Sequence, residues 1–163
     1  MVKMKIEGVV LDLKSNLPII VMKDEKQRIL PISVGIFEAQ AIAFALEGVR
    51  IPRPLTHDLM KNIIEKLNAK LVKVEITELK GNTYFARLTL KPRDQEEIKI
   101  DSRPSDAIAI ALRLQAPIYA AEELLISREV VSTPIDENEV KKFKEMLEKL
   151  TPEEIWKHLK GKM

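Results

Sequence analysis

The 163-residue sequence has no cysteine, five glycines, one tryptophan and four phenylalanines. Without cysteine there are no disulfides, no cysteine nucleophile and no thiolate metal site. So few glycines leave little room for backbone cradles. No phosphate-binding glycine loop and no dinucleotide fingerprint is present, and G-x-S-x-G and H-E-x-x-H are absent too. The longest apolar run falls far short of the roughly 20 residues a membrane helix needs, so no membrane partner is expected. Charge of neither sign dominates. The 27 Lys and Arg residues nearly balance 25 Asp and Glu, for a net charge of +2. Any polyanion binding must therefore come from a local basic patch. Met1 to Val10 alternates charged and apolar residues instead of opening a secretory signal, so a cytoplasmic location is expected. The 32% charged fraction, with few amide side chains, suggests a heat-tolerant, thermophile-like protein.

What is present reads as a single α+β domain with a tail. Residues 3–13 alternate as a strand, Ser15-Asn16 is a turn signal, and Pro18 to Met22 is the returning strand. A short strand is expected at Arg28 to Ile32. Gly35 to Leu46 is Ala-rich and reads as a buried helix stopped by Gly48. The two prolines of IPRPLTHDL forbid a helix there. Thr56 is the expected N-cap of a helix to about Asn68, with an apolar stripe of Leu59, Met60, Ile63, Ile64 and Leu67. Leu71–Leu79 and Thr83–Leu90 read as a hairpin turning at Lys80-Gly81-Asn82. A third strand is expected at Glu96–Asp101, a helix from Ser102 through about Leu114, and a short strand at Ile118-Tyr119. Helices with Trp156 as a docking anchor are expected beyond Asp136. The expected division is a domain at 1–132 and a helical tail at 133–163, packed on the domain or on a dimer partner. Both halves of the domain read as three strands and an Ala-rich helix with an acidic residue just inside its start, Glu38 and Asp106. A real repeat of this kind means two ββ(β)α units on an antiparallel or mixed sheet.

Three polar clusters lie beside turns. The first is Arg50, Arg53, Thr56, His57 and Asp58. Imidazole beside carboxylate at a helix start supplies a base and a metal ligand, and the arginines offer bidentate phosphate contacts. A plain capping account also fits: Thr56 caps, Asp58 complements the helix dipole, and His57 is a surface polar residue. The second is Ser102, Arg103, Ser105 and Asp106, where a helix N-terminus with an arginine forms an anion site or an ordinary cap. The third is Glu38, a carboxylate in an apolar helix that needs a partner such as Arg53 or Arg103, or a function.

The segments VGIFEAQAIAFALEGVRIPRPLTHDLM (34–60) and IDSRPSDAIAIALRLQAPIYA (100–120) closely resemble the bifunctional nuclease domain family, over roughly residues 2–132. The resemblance implies an α+β fold peculiar to that family, a wedge-shaped homodimer with a groove, and DNase and RNase activity. The matching motif positions are Glu38, Arg53, His57 and Asp58 in the first segment and Arg103, Ser105 and Asp106 in the second.

Under that resemblance the expected activity is phosphodiester hydrolysis of DNA and RNA. His57, Asp58 and Glu38 are the candidate catalytic residues. Arg53, Arg103 and Ser105 are candidates to hold phosphate, and Asp58 and Asp106 to hold a divalent Mg²⁺ or Mn²⁺ ion. The expected partners are nucleic acid and a second copy of the chain. The alternative is a non-catalytic module binding an anion or nucleic acid, favoured by the near-neutral charge and the lack of an aromatic platform.

Overall fold

The alternating segments pair into one seven-stranded mixed sheet in a computed structural model that describes residues 1–127 together with 141, 145 and 149. The chain runs β1 (Val2–Asp12), β2 (Leu17–Lys23), β3 (Ile29–Ser33), α1 (Ile36–Glu47), α2 (Thr56–Lys66), β4 (Ala69–Lys80), β5 (Thr83–Pro92), β6 (Ile98–Ser102), α3 (Pro104–Leu114) and β7 (Ile118–Ala120). The expected tail helices, with Trp156, lie outside the described residues.

The strand order is β3-β2-β1-β7-β4-β5-β6. Each half is an antiparallel three-stranded meander followed by an Ala-rich helix, and β7 joins the two meanders at the centre. It runs antiparallel to β1 and parallel to β4. The mixed sheet and the two ββ(β)α units read from the sequence are thus both present, with α2 inserted between them. The β4–β5 hairpin turns on Gly81 and Asn82, both at positive φ, the backbone that a two-residue hairpin matched to strand twist requires. A bulge in β1 between Ile6 and Gly8 shifts the pairing with β2. This explains why the apolar phase of residues 3–13 changes partway: Met4 is buried before the bulge and Val9 after it.

The helices pack close because their contact faces are small. Ala39 and Ala43 of α1, and Ala107 and Ala111 of α3, are buried beside Ile42 and Ile108. α3 lies between α1 and α2 and rests on β4 and β5. One expectation changes here. Leu55, not Thr56, is the N-cap of α2, and Thr56 is its first helical residue. A leucine side chain has no acceptor, so the cap contributed by a side chain comes from Asp58, whose Oδ2 accepts the Leu55 N–H at 3.0 Å. The apolar stripe of α2 is also far from covered: Leu59, Met60, Ile63 and Leu67 are exposed.

Candidate active site at the junction of three helix starts

Glu38, His57 and Asp106 each sit in the first turn of a different helix, α1, α2 and α3. Packing of α3 between its neighbours brings these turns together, and Arg103, the N-cap of α3, ties them. Arg103 Nε donates to Asp106 Oδ2 at 2.7 Å and its Nη2 to Asp106 Oδ1 at 3.1 Å. The same Nη2 lies 3.2 Å from Glu38 Oε1. His57 Nε2 is 2.9 Å from Asp106 Oδ1. The acidic residues read as equivalent in the two repeats therefore meet on one guanidinium.

His57 is 7% exposed, which overturns the surface histidine of the capping account. A buried imidazole needs a partner, and Asp106 supplies it. Burial alone pushes the Asp106 carboxyl up, but the hydrogen bonds from Arg103 and His57 outweigh it and hold the carboxyl below the usual range. An ionised carboxylate only accepts. Nε2 of His57 must then carry the proton, which leaves Nδ1 as the basic nitrogen of the neutral ring.

Asp58 is differently engaged. Its Oδ1 accepts from Arg113 Nε at 2.7 Å while its Oδ2 caps Leu55. Arg113, in the last turn of α3, also donates to the Ala109 carbonyl at 2.9 Å. Burial raises the Asp58 carboxyl, and Arg113 together with the Leu55 amide brings it below its ordinary value. Asp58 thus clamps the start of α2 to the end of α3, one residue from His57. Sequence reasoning missed Arg113. Its one signal was a lone arginine closing the Ala-rich stretch 107–114.

The remaining expected residues are placed as follows. Arg53 is exposed and takes no part in the ion pairs at the junction. Ser105 is buried within the first turn of α3. Neither N-cap residue of α1 or α3 makes a side-chain cap hydrogen bond, and the positive ends of both helix dipoles lie at the junction. With neutral His57, the side chains of Glu38, Arg103 and Asp106 sum to one negative charge. The donor set of oxygen and imidazole suits Mg²⁺ or Mn²⁺ in kind. In arrangement it does not. Asp58 and Asp106 turn to different partners, Arg103 occupies Glu38 and Asp106, and among the described residues no three His, Asp or Glu side chains are grouped so as to hold a metal ion.

A cavity of about 280 Å³ opens onto the junction, lined by Phe37, Glu38, Leu55, His57, Arg103 and Asp106 among others. A second, of about 370 Å³, lies on the other side of Arg103 and Asp106. No described helix is long and apolar enough to cross a membrane.

Residues 19–133 match the family model of the bifunctional nuclease domain, and the chain belongs to that family. It is 37% identical to an uncharacterised protein of Mycobacterium tuberculosis, over 94% of this chain and 97% of that one. It is 35% identical to Bifunctional nuclease 1 of rice over 67% of this chain, and 32% identical to Bifunctional nuclease 1 of Arabidopsis thaliana over 65%. The matched region makes up 35% and 33% of those plant proteins.

Proposed function

We propose that the chain hydrolyses phosphodiester bonds in DNA and RNA, with His57 as the base and Asp106 as its orienting partner. The observation that carries this reading is the continuous Glu38–Arg103–Asp106–His57 linkage at three helix starts, in a chain of the nuclease family. Asp106 holds His57 in the tautomer whose Nδ1 accepts a proton. Nδ1 takes it from a water, whose oxygen bonds to phosphorus as the ester bond to the leaving oxygen breaks. The imidazolium returns the proton to that oxygen. Arg103 is 66% exposed at its side chain, so it is free to turn from the carboxylates to the phosphate. There it neutralises charge developing on the transferred group. The start of α3 would face the same anion, and the exposed Arg53 would meet phosphates further along the strand.

Mg²⁺ or Mn²⁺ would have to draw Glu38 and Asp106 away from Arg103. The protein would act in the cytoplasm as a homodimer. The test is cleavage of labelled single- and double-stranded DNA and RNA by purified protein beside a His57→Ala variant prepared identically. Loss of cleavage in the variant supports the reading.

One observation favours a second reading. Arg103 is already bridged by two carboxylates, as in a structural ion-pair cluster. The chain would then bind nucleic acid or a small anion without turning it over. Saturable binding with no product, unchanged by His57→Ala, would decide for it.

A further inference from the structure

The cavity beyond Arg103 differs in chemistry from the junction. Its floor is Leu88, Leu90 and Ile100 of β5 and β6, and its walls are Met60, Ile63 and Ile64 of α2 against Ile110 of α3. At about 370 Å³ it falls in the size class of small-ligand pockets, about 300–1,000 Å³. Met60, Ile63 and Ile100 are each more than a third exposed, so the apolar surface is open to solvent. The polar groups cluster at one end: Asp101, Ser102, Arg103 and Asp106. Arg103 and Asp106 line both this cavity and the one holding Glu38 and His57.

We propose that this cavity is a nucleobase subsite, which makes single-stranded nucleic acid the preferred substrate. The inference rests on the nuclease reading and names the substrate class of that same site. A nucleotide has a flat ring with apolar faces and an anion at one end, and the groove has an apolar slot with Arg103 beside Asp101 and Asp106 at one end. A phosphate on Arg103 leaves the adjoining base at the mouth of the slot. The aliphatic walls of α2 and the sheet contact both faces of the base, in place of the aromatic platform the chain lacks. Contact through ring faces tolerates every base, so little sequence preference follows. A base held in a duplex is paired and stacked and cannot enter.

The test measures binding and cleavage of a labelled single-stranded 12-mer, its duplex, and a ladder in which one abasic residue is walked along the strand. The full-length protein is compared with an Ile63→Ser/Ile100→Ser variant whose fold is checked by thermal melting. The expected result is about tenfold or greater preference for the single strand, and one abasic position that costs about tenfold, the size of one base contact. The variant should lose that position's effect and keep the rest of the ladder. A flat ladder with intact cleavage overturns the base subsite and leaves the nuclease reading standing. No binding or cleavage of any nucleic acid overturns both. Conversion of a dimer to a monomer by the two serines, with the ladder unchanged, assigns the groove to a second copy of the chain and also overturns the subsite.

Discussion

His57 Nε2 lies 2.9 Å from Asp106 Oδ1, although the two residues are 49 positions apart in the chain. Neither helix start makes the pair alone. It exists because α2 packs against α3. The contact gives a buried imidazole the polar partner it needs.

His57→Ala and Asp106→Asn should each lower kcat/KM on nucleic acid by about 10²–10⁴-fold, the usual worth of general acid–base catalysis. Asp106→Asn keeps the shape but no longer fixes the His57 tautomer. Steady-state kinetics on one labelled oligonucleotide checks both. A loss under about threefold in either variant contradicts the assignment.

Asp58 should behave as a clamp. The Arg113 side chain is 8% exposed and that of Asp58 33%. Asp58→Ala leaves a nearly buried guanidinium unpaired and should cost about 2–3 kcal/mol in denaturant unfolding. Glu38→Gln, at a partly exposed pair, should cost less than about 1 kcal/mol. Equal costs would remove the distinction between clamp and site.

Gly35 offers a way to move Glu38 without changing a charge. Its φ of −71° suits any residue, but a Cβ there would run into the Glu38 carboxylate. Gly35 is the N-cap of α1, where Gly is preferred to Ala, so Gly35→Ala should cost about 1 kcal/mol while displacing Glu38 from Arg103. Paired thermal melts and cleavage rates check this, and an unchanged rate would show that Glu38 need not stay on Arg103.

Acid should unfold the protein through its paired carboxylates. Asp24, Asp58, Glu75 and Asp106 are all held below their ordinary values. In each, burial opposes ionisation but is outweighed by hydrogen bonds to arginine, assisted by Lys73 at Glu75. A depressed folded-state value gives stability that is fully present above the unfolded value, near 4. That stability is lost as pH falls through the lower folded value. Stability should be flat from about pH 5 to 7 and fall steeply below about 4. Asp58→Asn should start lower and fall less steeply. Urea midpoints across pH 3–7 measure the slope.

The strands were legible because their apolar alternation and turn residues agree, as at Gly81-Asn82. The repeat was legible from matching Ala/Ile runs with an acid near each start. Glu38, Arg103 and Asp106 could be named singly, but their meeting depends on helix packing, which no local pattern encodes. Arg113 was invisible for the same reason: its partner Asp58 is 55 residues away. The α2 stripe was legible as an apolar face but not its exposure, since periodicity reports which face is apolar and not whether anything covers it.

The central claim is tested most directly by cleavage of single-stranded DNA and RNA with wild type and a His57→Ala/Asp106→Asn double variant purified in parallel. Each is run with Mg²⁺, Mn²⁺ or chelator. The account predicts cleavage by wild type that falls at least about 10²-fold in the variant under every condition in which wild type is active. Equal cleavage by both preparations, or none by either, would contradict it.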